Sequence, residues 1–214
     1  MATEDDAHLP HYDHTKLSAI NTCPTWGILR YTHHKKMPGA SRSMALEAGS
    51  ASHEAFAAVR WYQYKTFQCK TEVQHENAAY QGDLLFPNGR FARMLSVLSE
   101  SATDRTNCIN FAIESIESTD FYDDISDNRR TLSNISESMI AYIDAYDMER
   151  YPIWIRDPLD PKTDIGIEIG FDVVVDILYS TSDYKDGDNE TMQVRFTGKL
   201  DGLHVDPKKD NALL

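Results

Sequence analysis

The spacing of apolar side chains changes near residue 151, and this change most constrains the fold of the chain. Before that point apolar residues recur every three or four positions, which is the spacing of one helix face. The clearest such stripe comprises Leu132, Ile135, Met139, Tyr142 and Tyr146. Between residues 165 and 177 apolar residues occupy every second position, the period of a β-strand, and Glu168, Asp172 and Asp176 fall on the opposite face. The pattern predicts an α+β chain, helical over residues 15–150 and forming an antiparallel β-meander over 151–214.

Local signals divide the chain further. Residues 1–14 are acidic and polar, which predicts a flexible tail. Pro24 suits the first turn of a helix. The expected elements are two short helices between 15 and 31, a long helix over about 44–65, short helices near 91–98 and 109–116, strands over 165–177 and about 192–205, and a further strand from Ala212.

Composition limits the class of protein. The chain has 214 residues, 41% of them hydrophobic, which is enough for one globular domain. No apolar run approaches the ~18 residues that span a bilayer. The acidic N-terminus is not that of a secretory signal peptide. Cys23, Cys69 and Cys108 lack the spacing of a metal site or a disulfide framework. We therefore expect reduced thiols and a cytoplasmic protein without membrane segments.

The charge distribution bears on binding partners. A net charge of −13 argues against a generic nucleic-acid coat, whose affinity comes mainly from neutralising phosphates. Within residues 15–70, however, only Glu47 and Glu54 oppose the basic residues. These are Lys16, Arg30, Lys35, Lys36, Arg42, Arg60, Lys65 and Lys70. A local positive field there is compatible with DNA binding. A solvated surface on which the charges are unevenly distributed by chance explains the pattern equally well.

Three short motifs carry the chemistry. The segment Ala48–Phe56, AGSASHEAF, places His53 one helical turn after Gly49. The segment Val194–Asp206, VRFTGKLDGLHVD, presents Asp201 near the end of a predicted strand. Upstream lies the box Cys23-Pro24-Thr25-Trp26.

In this order, the motifs resemble the RecB-like exonuclease branch of the PD-(D/E)XK nuclease superfamily, in its bacteriophage-type versions. Gly49-x-x-x-His53 resembles the family's helix motif, and Gly198-x-x-Asp201 resembles its strand motif. The resemblance implies a restriction-endonuclease-like fold that hydrolyses DNA phosphodiester bonds with Mg²⁺ or Mn²⁺. It implies that His53 and Asp201 bind the metal and act in catalysis, and that Glu168 lines the site, although an exposed carboxylate explains Glu168 equally well.

The resemblance also implies DNA as partner, a helicase or recombination protein as a possible second partner, and the host cytoplasm as location if the source is viral. The candidate DNA-binding residues are Lys35, Lys36, Arg42 and Arg60. In some relatives a cysteine at the position of Cys23 binds an iron–sulfur cluster with three downstream cysteines. Cys69 and Cys108 are not at the required places, so we expect a buried structural thiol at Cys23 and no cluster.

The third motif of the family, Asp/Glu-x-Lys, does not follow Asp201. Asp206-Pro207-Lys208 has the right letters but lies in a turn that is too close for a separate strand, and Lys199 precedes Asp201 on the same strand. We therefore expect residues 15–214 to be the N-terminal part of a nuclease domain, inactive as given. The competing interpretation is a non-catalytic acidic α+β module that binds DNA or protein. Exonuclease or endonuclease action, polarity, strandedness and oligomeric state stay open.

Overall fold

The chain is an α+β protein. A computed structural model describes residues 11–31, 44–119, 121, 130–146, 152–179 and 190–206. Within these ranges no helix is both long and apolar enough to cross a membrane. The chain divides into two compact units. One combines the described parts of Met1–Ala40 and Gly170–Leu200, here the sheet unit, and the other combines those of Ser41–Ile169 and Asp201–Leu214, here the helical unit.

The sheet unit contains most of a three-stranded sheet. Its elements are β1 (His11–Tyr12), α1 (His14–Thr22), α2 (Pro24–Tyr31), β2 (Ile167–Tyr179) and β3 (Glu190–Gly202). β3 lies between β2, its antiparallel neighbour, and β1, which pairs in parallel through His11 with Arg195 and Tyr12 with Phe196. The predicted meander thus gains an edge strand from the N-terminal segment. The further strand expected from Ala212, like the turn between β2 and β3, lies outside the described residues.

Residues 11–14 correct the predicted tail. They form β1 and the start of α1, and the side chain of Asp13 caps α1 by accepting a hydrogen bond of 2.7 Å from the Lys16 amide. Only residues 1–10 of the predicted tail fall outside the described part of the chain. Pro24 is the first residue of α2, as predicted. Cys23 between the two helices is exposed, so the expectation of a buried structural thiol is wrong.

The apolar alternation of β2 marks a strand but not a buried face. Ile165 and Ile167 are buried, whereas Phe171, Val173 and Val175 are 38–46% exposed. Within the sheet unit Gly198 lies under the Phe171 ring, whose nearest carbon would be 2.5 Å from an added Cβ. Gly198 therefore accommodates an aromatic ring across the sheet.

The helical unit is built around α3 (Met44–Gln63), which continues into a π-helical turn (Tyr64–Gln68). The other helices are α4 (Glu72–Leu85), α5 (Arg90–Ser96), α6 (Asp104–Glu117) and α7 (Leu132–Ala145). α3 packs against both α6 and α7. At the centre, Trp61 stacks on Phe111 at 5.0 Å between centroids and meets Phe91 edge-on at 4.8 Å. Burial of these rings fixes α3 as a rigid support.

α4 was not predicted, because its buried face is largely polar. Its start has a sequence signal nonetheless, a capping box in which Thr71 and Gln74 satisfy each other's main-chain amides. The buried Asn77 and Gln81 donate hydrogen bonds of 2.9 and 2.8 Å to the Thr163 carbonyl. These bonds anchor the segment that leads into β2, and so they help to position Glu168.

Candidate metal centre

α3 presents His53 on a face turned away from its buried alanines. Ala51, Ala55 and Ala58 are at most 3% exposed and pack into the core, whereas the His53 side chain is 55% exposed. Gly49, one turn before His53, makes no close contact, since an added Cβ there would meet no atom within 4 Å. His53 is therefore accessible because of its place on the helix and not because of the glycine.

A three-way main-chain junction brings the two acidic residues together. The Gly166 amide donates to the Trp154 carbonyl at 2.7 Å, the Leu203 amide to the Gly166 carbonyl at 2.8 Å, and the Trp154 amide to the Leu203 carbonyl at 3.0 Å. Because Glu168 and Asp201 each lie two residues from this junction, the junction sets the distance between them.

Glu168 has an unusual main-chain conformation. The Ile167 amide bonds to the Ile165 carbonyl at 2.7 Å, which closes a tight turn at Gly166. Glu168 follows with a φ of 51°, in the left-handed region that costs a residue with a side chain about 1–2 kcal/mol. The alternation of the strand is interrupted here, and Glu168 is half-buried. Strain of this kind in a native structure frequently marks a functional position.

His53, Glu168 and Asp201 converge within the helical unit. Nδ1 of His53 lies 3.2 Å from Oδ1 of Asp201, and one ligand atom from each of the three residues lies within 4.8 Å of the others. Ligand bonds of about 2.0–2.6 Å to Mg²⁺, Mn²⁺ or Ca²⁺ place two ligands of one ion at most about 5 Å apart. The three residues thus fit a single divalent cation.

Arg60 is the cation nearest to this triad in the described helical unit. Its guanidinium donates a hydrogen bond to the main-chain carbonyl of Asp201 and lies against Gly202. Its Cζ is 5.9 Å from the ring centre of Phe56 and 6.0 Å from that of Tyr142. Arg60 therefore holds the end of β3 against α3. The sequence had suggested Arg60 only as a DNA contact.

Other candidate residues are placed differently. Lys35, Lys36, Arg42 and Lys208 lie outside the described residues. Lys199 is exposed and belongs to the sheet unit. Sequence reasoning missed the role of Gly166. The signal that could have found it is the glycine itself, since glycine in a strand often marks a close main-chain approach.

An open groove lies between α3 and α7 next to the triad. It has a volume of about 490 Å³ and begins at Ser52, the neighbour of His53. Asn134 and Ser138 contribute amide and hydroxyl groups from α7, together with the carboxylate of Glu137. Ile135 and Ala141 add apolar surface, so the groove is of mixed character. The triad itself is reachable from solvent because the side chains of His53 and Asp201 are more than half exposed.

Comparison with known proteins found no relative of this chain. No protein-family model, curated protein or solved structure matches this chain.

Proposed function

We propose that this protein is a metal-dependent DNA nuclease of the RecB-like PD-(D/E)XK type, with a restriction-endonuclease-like fold. One observation carries the proposal: a helix histidine and two strand carboxylates, far apart in sequence, converge within 4.8 Å of one another. These residue types and elements are those that the family resemblance implies.

Stability alone does not account for the convergence. His53 and Asp201 are 55% and 56% exposed, and an exposed ion pair contributes only about 0–1 kcal/mol. Glu168 adds a second carboxylate from a strained main-chain position. The proposal therefore rests on the convergence of two acids and a histidine from segments distant in sequence, which metal binding would explain.

The donor set favours a hard cation. Two carboxylates and one imidazole offer mainly oxygen, which suits Mg²⁺ and Mn²⁺, and the single nitrogen shifts the preference towards Mn²⁺. Zinc sites generally use more histidine or cysteine. A bound ion would activate water and offset charge on the phosphate. Asp201 on β3 and His53 on α3 would bind the ion, and Glu168 would be the third ligand. Arg60 would hold Asp201 in place by its bond to the Asp201 main-chain carbonyl.

Metal binding is the first test, because it does not depend on knowing the substrate. Isothermal titration with Mn²⁺ should give one site. Asp201→Ala should weaken it by more than about 100-fold, which exceeds the roughly 10–100-fold loss typical of an outer-sphere partner. His53→Ala should act in the same direction. The matched control is Asp83→Ala, which removes an exposed carboxylate from α4.

Cleavage is the second test. Residues 1–214 by themselves are not expected to cut, because no Asp/Glu-x-Lys motif on a separate strand follows Asp201 in this sequence. Labelled DNA incubated with Mg²⁺ or Mn²⁺ should be degraded by a longer chain that adds such a motif, and not by its Asp201→Ala variant. Unchanged Mn²⁺ affinity in a folded Asp201→Ala variant would sink the proposal. Tight Mn²⁺ binding without cleavage of any DNA form by the longer chain would favour the non-catalytic interaction module instead.

A further inference from the structure

We propose that a strip of side chains beside the triad, formed by Phe56, Arg60, Tyr142 and Tyr146, binds single-stranded nucleic acid, and that the cavity at its far end takes a base with an exocyclic amino group. The inference rests on the proposed nuclease function and deepens it by naming the form of the substrate. It is carried by contacts within the helical unit.

The strip is a continuous row of rings. Phe56 meets Tyr142 edge-on at 4.9 Å between centroids, and Tyr142 lies 4.7 Å from Tyr146 at an angle of 31°. Tyr146 is 50% exposed and lines the cavity. A large aromatic ring that is half exposed at the mouth of a cavity is a surface on which a planar group can stack.

Arg60 connects the strip to the triad. It donates to the Asp201 carbonyl at one end and bonds the Tyr142 hydroxyl through Nε at 3.5 Å, a long contact, at the other. His53, Phe56, Arg60 and Gln63 follow one another at intervals of three, four and three residues, so they share one face of α3. The triad, the strip and the cavity therefore lie along one line on the protein surface.

The cavity is lined by two hydrogen-bond acceptors, the side-chain carbonyl of Gln63 and the carboxylate of Asp104. It has a volume of about 230 Å³. The Gln63 side chain that lines it is 5% exposed, and its Oε1 has no hydrogen-bond donor among the described residues. The carboxylate of Asp104, which accepts from the Tyr62 hydroxyl at 3.2 Å, is the second acceptor. A buried carbonyl without a donor is costly, and a ligand amino group would satisfy it.

The shape and chemistry of the cavity select a nucleobase. It is smaller than the roughly 300–1,000 Å³ of sites for drug-sized ligands, so it suits one planar ring system. Carboxylates recognise the amino group of cytosine, and adenine carries an amino group on its corresponding edge. Thymine offers a single ring N–H between two carbonyl oxygens, so it can donate to one of Gln63 and Asp104, whereas an amino group has two N–H donors for the two acceptors. The ion pair of Arg105 and Asp144 lines the cavity, with Nε of Arg105 and Oδ1 of Asp144 2.8 Å apart.

The spacing fits a short strand. Ten residues of helix separate His53 from Gln63, which corresponds to about 15 Å along α3. A stacked strand rises about 3.4 Å per nucleotide, so about four nucleotides would separate the cleaved bond from the base in the cavity. Only an unpaired strand has base faces free to stack on Tyr146, because a duplex keeps its bases within its own stack.

Fluorescence anisotropy in EDTA tests binding without cleavage. The probes are labelled dC10, dT10, rC10 and a 10-base-pair duplex. The wild type should bind dC10 more tightly than dT10 and the duplex. Tyr146→Ala should weaken dC10 binding by about tenfold, as expected for one stacked base, whereas Tyr146→Phe should retain it. Gln63→Leu should reduce the preference for dC10 over dT10, with Asp104 left as the remaining acceptor. Binding of rC10 as tight as dC10 extends the inference to RNA.

Mn²⁺ titration of the same variants separates this inference from the proposed nuclease function. Tyr146→Ala should keep the Mn²⁺ affinity of the wild type, and Asp201→Ala should lose Mn²⁺ and still bind dC10 in EDTA. If the wild type has no Mn²⁺ site but binds dC10 in a way that depends on Tyr146, the proposed nuclease function is refuted and the proposed binding strip is supported. The strip is refuted by equal affinity for duplex and single strand, by an unaffected Tyr146→Ala variant, or by no binding of any probe.

Discussion

A methyl group on Gly166 would overlap the main-chain carbonyl oxygen of Leu203. The two residues also share a hydrogen bond of 2.8 Å from the Leu203 amide to the Gly166 carbonyl. Only glycine allows this approach, and it occurs two residues before Glu168 and two residues after Asp201. The distance between the two acids therefore depends on the absence of a side chain at position 166.

Gly166→Ala should destabilise the protein and weaken Mn²⁺ binding together. The clash is with main-chain atoms that cannot rotate away, so the two segments must separate, at a cost of about 1–3 kcal/mol. Urea denaturation measures the free energy of unfolding, and titration measures the affinity. Gly170→Ala is the matched control, since an added Cβ there meets no atom within 4 Å. Equal stability of the two variants would contradict this account of the junction.

Substitutions at Glu168 should separate stability from metal binding. Its φ of 51° is unfavourable for any residue with a Cβ and acceptable for glycine. Glu168→Gly should therefore be more stable than Glu168→Ala by about 1 kcal/mol, the cost of a left-handed conformation. Both should lose Mn²⁺ affinity equally, because both lack the carboxylate. Thermal unfolding and Mn²⁺ titration give the two readouts. A Glu168→Gly variant less stable than Glu168→Ala would show that position 168 is not strained.

Gly202→Ala should move Arg60 while leaving the fold intact. An added Cβ would lie 2.5 Å from the Arg60 guanidinium carbon, which is the end of a flexible side chain and can move. The contacts of Arg60 with the Asp201 carbonyl, Phe56 and Tyr142 would then be lost. We expect an unchanged melting temperature and a loss of about threefold or more in affinity for dC10, the size of one cation–π contact. Gly170→Ala again serves as control. A large drop in the melting temperature of Gly202→Ala would mean that the Arg60 side chain cannot move away from the added methyl group.

The stability of the protein should fall in alkaline solution. Burial raises the pKa of the Cys108 thiol from its ordinary value of 9 to about 12, with the charge of Asp104 as a smaller cause. Between those two values the unfolded chain has lost the proton and the folded chain has kept it. The unfolded state then binds fewer protons, so the free energy of unfolding decreases with rising pH, by at most about 1.4 kcal/mol per pH unit for this group.

Below pH 9 both states keep the thiol proton, and Cys108 adds no pH dependence there. Urea denaturation at pH 8, 9.5 and 11 measures the slope. Cys108→Ala should lower stability at pH 8 by loss of packing, and it should flatten the decline between pH 9.5 and 11. In that variant part of the decline in the free energy of unfolding should remain, because burial also raises the pKa of the Tyr64 hydroxyl. An identical slope in both proteins would show that the buried thiol does not titrate on unfolding.

Much of the secondary structure followed from local spacing. α3, α6 and α7 were predicted because their apolar residues repeat at helical intervals, and Thr103 caps α6 as its position suggested. α4 was missed because Asn77 and Gln81, which it buries, are polar. Their burial is tolerable only because they donate to the carbonyl of Thr163, a partner far away in the chain. Hydropathy carries no information about such a partner.

The sequence by itself determined the helical pattern around His53 and the strand pattern around Asp201. Their resemblance to two family motifs indicated them as candidate site residues, and Glu168 was left with two interpretations, a site residue or an exposed carboxylate. The tertiary structure decided how they meet. The Gly166–Leu203 approach and the bond from Arg60 to the Asp201 carbonyl each join segments distant in sequence, and the left-handed conformation of Glu168 occurs beside the first of them. Such contacts depend on the packing of the whole unit, because a local pattern specifies the conformation of a segment and not the partner that it will touch.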